Sequence, residues 1–368
     1  MKRPAVLLLG PSRDAISGVA THLDSLLGSK LAAEFALEHF QTGSEGRAES
    51  LPGRLWRLAA SPFALAASIV RVNAALVHLN TSLNARAFWR DIAYLLVARL
   101  CGARVIYQVH GGALAEFAAK SRALAAFLRA VLRWPDAIVV LSRSELEACR
   151  ALVPGQAVEL VPNGVDTALY RHERSPSATP ALRLVYVGRL APGKGLLEAI
   201  EALRLARMRG TAARLIIAGG GPEEARLRRR VREAGLLREI SFAGPCYGER
   251  KAKLLSQADA LLLASYAEGL PYALLEAMAA GVVPIVTRVG AIPEVVAEGR
   301  HGLFVARRDP EAIARAIAAL ALDRGALARM SAACRKRIAA AYSIERVAAD
   351  FAALYAALCA ARSPGTIF

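Results

Sequence analysis

The sequence predicts an α/β protein made of two doubly wound, Rossmann-like domains that face each other across a cleft. Short aliphatic runs alternate with longer helical patterns along the whole chain, which is typical of parallel sheets with crossover helices. The polar, proline-containing stretch YRHERSPSATP at 170–180 divides this alternation into two series. The chain has 368 residues, of which 55% are hydrophobic, so it can bury two cores and is not intrinsically disordered.

The first series predicts an N-terminal, acceptor-side domain over residues 1–170. Its strands are predicted as short aliphatic or β-branched runs at 5–9, 36–40, 75–79, 104–109, 137–141 and 157–161. Helical patterns fill the gaps between these runs. Residues 171–181 are interpreted as an interdomain linker, because they are polar and have no apolar period.

The second series predicts a C-terminal, donor-side domain over residues 182–343. Its strands are predicted at 183–187, 213–218, 240–243, 260–264, 283–287 and 302–305. Helices are predicted between them at 196–208, 223–234, 249–257 and 271–280. A last helical pattern begins at residue 344, beyond the final strand, and we expect residues 344–368 to pack back on the first domain.

Composition excludes several classes of protein. No uninterrupted apolar run reaches the roughly 18 residues of a transmembrane helix, so no membrane-spanning segment is predicted. The N-terminal MKRPAVLLLGPSRD has an apolar run too short for a signal peptide and predicts the first strand. The five cysteines form no CxxC pair, which argues against a disulfide framework and a zinc site. A cytoplasmic protein is expected.

The net charge of +17 arises from 48 basic and 31 acidic residues. Such a surplus fits nucleic acid, an anionic membrane surface or a phosphate-bearing substrate. Arginine supplies 41 of the 48 basic residues, a bias that coding composition explains as simply as binding does. The run RLRRRVRE at 226–233 has no interleaved aromatics, so it predicts an exposed helix face, and no nucleic-acid partner is expected.

The stretch LVYVGRLAPGKG at 184–195 predicts a phosphate site. It places Arg189 and Lys194 beside a strand end and a helix start, where unpaired amides and the helix dipole favour an anion. The string approaches the P-loop motif, but Gly195 stands where that motif needs Ser or Thr for magnesium. This departure argues against a nucleoside triphosphatase. An ordinary turn with incidental cations stays open.

A second constellation, SYAEGLPYALLE at 265–276, separates two carboxylates by seven residues. Glu268 lies in a loop at a strand's carboxyl end, and Glu276 lies on the following helix. A carboxylate can accept two hydroxyl hydrogen bonds at once, so Glu276 suits a ribose diol and Glu268 a sugar. A solvated helix face is the alternative interpretation of Glu276.

Together these motifs resemble the family-4 retaining glycosyltransferases of GT-B fold. The resemblance covers most of the chain, through VPNGVD from 161, VGRLAPGKG from 187, IAGGGPEEARL from 217 and EGLPYALLEAMAAGVVPIVTRVGAIPEVV from 268. It implies transfer of a hexosyl group, with retention, from a nucleotide-diphosphate sugar to a hydroxyl of a glycan or lipid-linked acceptor. Biosynthesis of polysaccharide, glycolipid or another cell-envelope glycan is the implied setting.

The resemblance also implies roles for the second-domain residues. Arg189 and Lys194 would neutralise the donor diphosphate, and Glu276 would bind the ribose hydroxyls. Glu268 would bind the donor sugar, and the adjoining donor-binding residues would be Gly269, Leu270 and Pro271. Neither a metal nor a tightly bound cofactor is implied, and the absence of a D-x-D triplet agrees with this.

In the first domain, Gly18 resembles the family's glycine loop, although Ser17 stands where a second glycine is common. His110, at the end of the strand VIYQVH, resembles the family's active-site histidine, which contacts the donor sugar. Three residues at the end of another predicted strand are assigned to the acceptor side: His78, Asn80 and Ser82. The remaining histidines, namely His22, His39, His172 and His301, are interpreted as structural.

A stretch of cations and aromatics, LPGRLWRLAASPF at 51–63, suits a membrane interface or a lipid-linked acceptor. The cations and aromatics in this stretch are Arg54, Trp56, Arg57 and Phe63. A solvated helix is the alternative interpretation. With the membrane interpretation, the protein would lie peripherally on the inner face of the cytoplasmic membrane.

Two other function classes stay open. A sugar-nucleotide epimerase or hydrolase could use the same donor pocket, and it would turn over without any acceptor. A non-catalytic GT-B partner protein would keep the fold and lose the site. The presence of Arg189, Lys194, Glu268 and Glu276 favours an enzyme over such a partner.

Overall fold

The computed structural model describes residues 3–15, 17–43, 50–81, 85–111, 121–171 and 181–360. It divides the chain into two compact units, each built on its own six-stranded parallel sheet. The first unit contains the residues up to Gly164 together with those from Ile344 onward. The second unit is Val165–Ser343. The two sheets confirm the predicted α/β class with two Rossmann-like halves.

The first sheet has the strand order β2-β1-β3-β4-β5-β6, and every neighbouring pair is parallel. The strands are β1 (Ala5–Gly10), β2 (Ala36–Gln41), β3 (Ala74–Thr81), β4 (Arg104–Val109), β5 (Ala137–Val140) and β6 (Val158–Leu160). The chain reverses its direction of winding between β1 and β3. In such sheets the crevice at the carboxyl ends of these two strands is the natural place for a ligand.

The second sheet has the order β12-β11-β10-β7-β8-β9 and is also parallel throughout. Its strands are β7 (Leu182–Val187), β8 (Ala213–Ala218), β9 (Ile240–Phe242), β10 (Ala260–Leu263), β11 (Val283–Thr287) and β12 (Leu303–Val305). All twelve predicted strands are therefore confirmed. The winding reverses between β7 and β10, so the loops after these two strands meet at one edge.

The described helices follow the strands in alternation. They are α1 (Gly18–Leu27), α2 (Leu31–Glu34), α3 (Leu51–Val72), α4 (Ala85–Leu100), α5 (Arg122–Val131), α6 (Arg143–Leu152), α7 (Leu196–Met208), α8 (Glu224–Glu233), α9 (Gly248–Ser256), α10 (Tyr272–Ala279), α11 (Ile292–Val295), α12 (Pro310–Leu322), α13 (Arg324–Ala341) and α14 (Ile344–Ala360). Ser17 caps α1, because its side chain accepts a hydrogen bond from the Ala20 amide.

Both faces of the first sheet are covered, as its continuously apolar strands require. Leu7 and Leu9 of β1 face a core that α3, α4 and α5 complete. Leu8, between them, faces a second core built with α1, α2 and α14. From α14, Phe351 and Tyr355 are fully buried in that second core, so the C-terminal helix is part of the first unit.

Two boundaries differ from those predicted. Val165–Arg171 cluster with the second unit, so the first unit ends six residues before the predicted limit of 170. Of the predicted linker 171–181, only its two end residues lie within the described residues. Strand β3 extends to Thr81, two residues beyond the predicted end at 79. This extension buries residues that the sequence had placed at a strand mouth.

One described helix is long and apolar enough to cross a membrane by length and composition, namely α3. The sequence predicted no membrane-spanning segment because no uninterrupted apolar run reaches about 18 residues. Length and composition alone do not show that this helix crosses a membrane, so that statement stays a prediction. Only 11% of its most apolar window is buried. Leu65 and Ile69 near its C-terminal end nevertheless pack in the core of the first unit.

Candidate functional site

The turn from β7 to α7 carries the two predicted phosphate cations. Gly195, at the start of α7, has a φ of 69° in the left-handed region. A Cβ at this position would clash with the carbonyl oxygen of Ala264, just after β10. The turn is therefore pressed against the end of the neighbouring strand. This close approach explains why glycine stands where a P-loop would have Ser or Thr.

We expect Gly195→Ala to destabilise the second unit by more than the cost of its left-handed φ alone, because the added methyl group also clashes with the backbone of Ala264. Gly210→Ala is the matched control, since Gly210 has a similar φ of 76° and no atom within 4 Å of its Cβ position. Left-handed strain costs each variant about 1 to 2 kcal/mol. Urea unfolding followed by far-ultraviolet circular dichroism measures the difference. Equal losses in the two variants would contradict the close approach.

The structure brings Lys194 and Glu268 together, with Nζ 2.6 Å from Oε1. Their side chains are 24% and 12% exposed, so water screens this ion pair less than a surface pair. Lys194 reaches over from the turn after β7, and Glu268 belongs to the loop after β10. The sequence assigned the two residues separately to phosphate and to sugar. The geometry shows that each is the other's partner.

Arg189 is exposed at the beginning of the same turn. Among the described residues it makes no ion pair, and its backbone carbonyl accepts a hydrogen bond from the Tyr186 hydroxyl at 2.9 Å. Tyr186 thus holds the backbone from which the guanidinium projects. An unpaired cation on an anchored backbone is suited to an anionic ligand.

Glu276 is buried in α10 and only 4% exposed, so the interpretation of a solvated helix face is wrong. Its carboxylate forms a short ion pair with the ammonium of Lys251 on α9. Burial and the negative charge of Glu276 raise the pKa of Tyr170, whose hydroxyl is hydrogen-bonded to the same carboxylate. Lys251 and Tyr170 were not predicted. Only the packing of α9 and of the segment before the linker places them there.

The loop between β10 and α10 is fixed by a second close approach. Gly290 has a φ of 52°, and a Cβ there would clash with the backbone carbonyls of Glu268 and Gly269. The Gly269 carbonyl also accepts a hydrogen bond from the Ala291 amide at 3.0 Å. Leu270 is buried and Pro271 precedes the first residue of α10. The predicted donor-binding residues of this loop therefore lie on an immobilised backbone.

In the first unit, Gly18 is exposed at the N-terminus of α1, directly after the loop that follows β1. His110 follows β4, and its backbone amide donates to the Thr81 carbonyl at 2.7 Å. Both residues thus lie at the carboxyl edge of the sheet, beside the point where the winding reverses. Of the residues predicted for the acceptor side, Ser82 lies outside the described residues.

His78 is not on an acceptor surface, and that prediction is wrong. The residue is fully buried within β3, and its Nδ1 and Nε2 atoms contact the Tyr355 hydroxyl at 2.6 Å and the Gln108 Oε1 at 2.8 Å. Burial lowers its pKa to about 3, with the neighbouring His22 as a smaller cause. Both ring nitrogens have partners inside the protein, so none remains for a ligand.

Asn80 is likewise 3% exposed and contacts only the protein interior, which corrects its assignment to the acceptor side. Its Nδ2 group donates to the Leu9 carbonyl at 3.1 Å and to the His78 carbonyl at 3.3 Å. Its Oδ1 lies 2.8 Å from Nε2 of His110. The residue therefore links β1, β3 and the histidine after β4.

His22 joins this group, although the sequence gave it only a structural interpretation. Its ring centroid lies 4.6 Å from that of His110 and 6.4 Å from that of His78. Burial lowers the pKa of His22 to about 3, and burial followed by the two neighbouring imidazoles lowers the pKa of His110 well below its usual range. The period of Val19, His22, Leu23 and Leu26 on α1 was the available signal, because all four are buried.

Two family models match the chain in tandem. The model described as Glycosyltransferase Family 4 matches residues 28–169, and that described as Glycosyl transferases group 1 matches residues 171–337. Among curated proteins, a GDP-mannose-dependent alpha-(1-6)-phosphatidylinositol monomannoside mannosyltransferase of Mycobacterium tuberculosis is 31% identical over 278 residues. That match covers 69% of this chain and 70% of the mannosyltransferase.

A glycogen synthase of the same organism is 33% identical over 244 residues, which are 64% of this chain. The match spans 59% of the length of that synthase. Among solved structures, Anabaena HepE in complex with UDP and glucose superposes with a TM-score of 0.74 at 15% identity. The superposition covers 95% of this chain and 99% of HepE, and it bears on the fold alone.

Two parallel Rossmann-like sheets, with paired carboxylates and cations at the carboxyl edge of the second, define a protein of the GT-B class. The tandem family matches then identify the group within that class. The chain belongs to the group 1, family 4 glycosyltransferases, as its motifs indicated.

Proposed function

We propose that the protein is a retaining glycosyltransferase that moves a hexosyl group from a nucleotide-diphosphate sugar to a hydroxyl acceptor. The observation that carries the proposal is the cluster after β7 and β10, where Arg189, Lys194 and Glu268 lie on backbone fixed by glycine contacts. The names of the relatives support a nucleotide sugar as donor, since one is GDP-mannose-dependent and HepE was crystallised with UDP and glucose.

In this proposal, departure of the nucleoside diphosphate develops negative charge on its phosphate oxygens. Arg189 and Lys194 stabilise that charge. The Lys194 ammonium is already held by Glu268 before the donor arrives, and Arg189 projects from an anchored backbone. Glu268 holds the Lys194 ammonium in place and offers its second carboxylate oxygen to a sugar hydroxyl. The prearranged cations do the work for which other transferases use a divalent ion, so the proposed reaction needs no metal.

The same proposal assigns the ribose to Glu276. Lys251 and Tyr170 each contact its carboxylate, so the group is held in a fixed orientation although it is buried. A carboxylate retains free lone pairs after two such contacts. These lone pairs would accept hydrogen bonds from the two ribose hydroxyls.

Thermal unfolding in the presence of GDP, UDP, GDP-mannose, UDP-glucose, ATP and NAD tests the donor class. A ligand present at 100 times its dissociation constant stabilises the native state by about 2.7 kcal/mol. We expect at least one nucleoside diphosphate to raise the unfolding temperature, and Glu276→Gln to reduce that rise. Stabilisation by ATP or NAD alone would overturn the proposal.

The acceptor is proposed to be a glycan or lipid-linked glycan of the cell envelope, reached from the cytoplasmic face of the membrane. The surface of α3 supports this location, because Trp56 and Phe63 are 76% and 78% exposed. The helix has no acidic residue, and it carries Arg54 and Arg57 beside the exposed rings. Exposed aromatics beside arginines are suited to the interface of an anionic bilayer.

We expect the protein to sediment with vesicles of phosphatidylglycerol and phosphatidylcholine at low salt and to be released by high salt. The double variant Arg54→Gln/Arg57→Gln should bind roughly thirtyfold more weakly, because each arginine near an anionic surface contributes about 1 kcal/mol. Arg226→Gln/Arg229→Gln is the matched control, since both arginines lie on α8 of the other unit. Failure of the wild-type protein to sediment at low salt would remove the membrane proposal and leave the donor proposal untouched.

A further inference from the structure

We propose that Asn80 is a positioning residue that fixes the tautomer of His110, so that the ring carries its proton on Nε2 and a bare lone pair on Nδ1. The inference rests on the proposed function only in taking His110 as an active-site residue. The tautomer itself follows from contacts within the first unit.

The contacts of Asn80 determine which way its side-chain amide is oriented. Its Nδ2 group faces two carbonyl oxygens, those of Leu9 at 3.1 Å and His78 at 3.3 Å. A carbonyl oxygen only accepts hydrogen bonds, so the atom that faces two of them must be the NH2 nitrogen. A flipped amide would place Oδ1 against both acceptors in a buried site. The orientation of Asn80 is therefore determined by backbone atoms of β1 and β3.

With Nδ2 directed at the backbone, Oδ1 is the atom that lies 2.8 Å from Nε2 of His110. An amide oxygen cannot donate, so Nε2 of His110 must carry a proton and donate it to Asn80. A neutral imidazole has only one ring proton, and Nδ1 is then bare.

The surroundings of His110 keep its ring neutral. Burial, the largest cause, and the imidazoles of His22 and His78 lower the pKa of His110, and a polar contact with the Asn163 side chain opposes them. A second proton, on Nδ1, would thus place a charge beside the two buried rings of His22 and His78. Within the described residues, Nδ1 of His110 is buried with no hydrogen-bond partner.

The bare Nδ1 atom is what the arrangement leaves for a substrate. Because unsatisfied polar atoms in protein interiors are rare, such an atom is a site for a donor that binds later. The chemistry of an imidazole lone pair selects a hydroxyl group, such as one on a sugar. Asn80 thereby decides whether His110 accepts a hydrogen bond from substrate or donates one, and it does so without touching the substrate.

Nuclear magnetic resonance on protein labelled with nitrogen-15 in its six histidines tests the tautomer directly, without any donor. Long-range proton–nitrogen spectra distinguish a protonated from a bare ring nitrogen, and His110→Gln identifies the resonance. We expect Nε2–H and bare Nδ1 at pH 7 in the wild-type protein. A neutral ring with its proton on Nδ1, or a charged ring, would overturn the proposal even if the protein proves to be a glycosyltransferase.

Asn80 variants test the positioning role. Asn80→Ala should give a mixture of the two tautomers, because it removes the only acceptor that the described residues place at Nε2 of His110. With GDP-mannose and UDP-glucose as donors, kcat should fall about tenfold in Asn80→Ala, the effect of one lost hydrogen bond, while KM changes little.

Tyr355→Phe is the matched control for a merely structural effect. It removes the hydroxyl that contacts Nδ1 of His78 in the same buried cluster, and it leaves the contact between Asn80 and His110 intact. We expect lower stability and an unchanged His110 tautomer. If Tyr355→Phe alters the His110 resonances as much as Asn80→Ala does, the assignment to Asn80 fails. The wild-type spectrum alone decides the tautomer if an Asn80 variant does not fold.

Discussion

Replacing Lys194 by alanine should lower kcat by about 100-fold to 1,000-fold, the loss that follows removal of one preorganised group from a developing anion. The substitution removes the ammonium and leaves Glu268, 12% exposed, without the partner that lies 2.6 Å away. An unpaired carboxylate would then repel the donor diphosphate. KM should rise as well, because that repulsion acts on the bound ground state.

Glu268→Gln should lower kcat by a similar factor, because it removes the carboxylate of the ion pair and keeps the ammonium. The amide has almost the same shape, but it no longer holds the Lys194 ammonium by charge. Because the two residues act as a unit, kcat of the double variant should be at most about tenfold lower than kcat of the less active single variant. Release of nucleoside diphosphate from GDP-mannose and UDP-glucose measures all three proteins.

Lys253→Ala is the matched control for loss of a lysine. Its side chain is exposed on α9, two residues after the Lys251 that contacts Glu276, and it should leave kcat unchanged. Full activity in both Lys194→Ala and Glu268→Gln would contradict the assigned roles. Strictly additive losses in the double variant would show that the ion pair does not act as a unit.

The first unit should lose much of its stability between pH 7 and pH 5, because His22 and His78 have pKa values of about 3 when folded. An unfolded histidine titrates near pH 6.5, so the unfolded chain binds protons that the folded unit excludes. Stability is therefore complete above pH 6.5 and is lost as the pH falls toward 3. The two residues together remove about 4 kcal/mol between pH 7 and pH 5.

Asp91 opposes this loss. Burial raises its pKa to about 6, so its protonation favours the folded state as the pH falls below that value. Its contribution down to pH 5 is about 1 kcal/mol, which leaves a net loss of about 3 kcal/mol. His110 adds to the loss, since its pKa is also lowered. A change of this size is a large fraction of a typical domain's stability.

Urea unfolding followed by tryptophan fluorescence isolates this effect, because all three tryptophans, Trp56, Trp89 and Trp134, belong to the first unit. The urea midpoint should fall between pH 7 and pH 5. His22→Gln should show a shallower dependence, since it removes one titrating ring. An identical midpoint at both pH values in the wild-type protein would contradict the neutral, buried histidine cluster.

The sequence predicted the strands well because each is a short run with aliphatic or β-branched residues, and central strands such as β3, β5, β10 and β11 are buried along their whole length. The ends of parallel strands are recognisable in sequence, and this identified four residues of the candidate site: Arg189, Lys194, Glu268 and Glu276. The ion pairs between them and Lys251 were not predictable, since pairing depends on how α9 and α10 pack. Local sequence fixes which edge a residue reaches, and tertiary packing fixes its partner.

The cluster of histidines, in contrast, could not be predicted from the sequence. Because β3 extends to Thr81, His78 and Asn80 lie inside a buried strand and not at its mouth. His22 was assigned a structural role because a lone histidine on a helix carries no signal of its neighbours. Its contact with His110 needs both the register of the sheet and the rotation of α1. A cluster formed from three elements distant in sequence cannot be inferred from any one of them.

The most direct test of the proposed function is product analysis with a radiolabelled nucleotide sugar and the cell-envelope lipid fraction as acceptor. The account predicts that labelled sugar moves to an acceptor, with release of one nucleoside diphosphate for each sugar transferred, and that Lys194→Ala nearly abolishes both. Turnover of the donor at the same rate without any acceptor would instead indicate an epimerase or hydrolase. Binding of no nucleotide sugar and release of no nucleoside diphosphate would contradict the account as a whole.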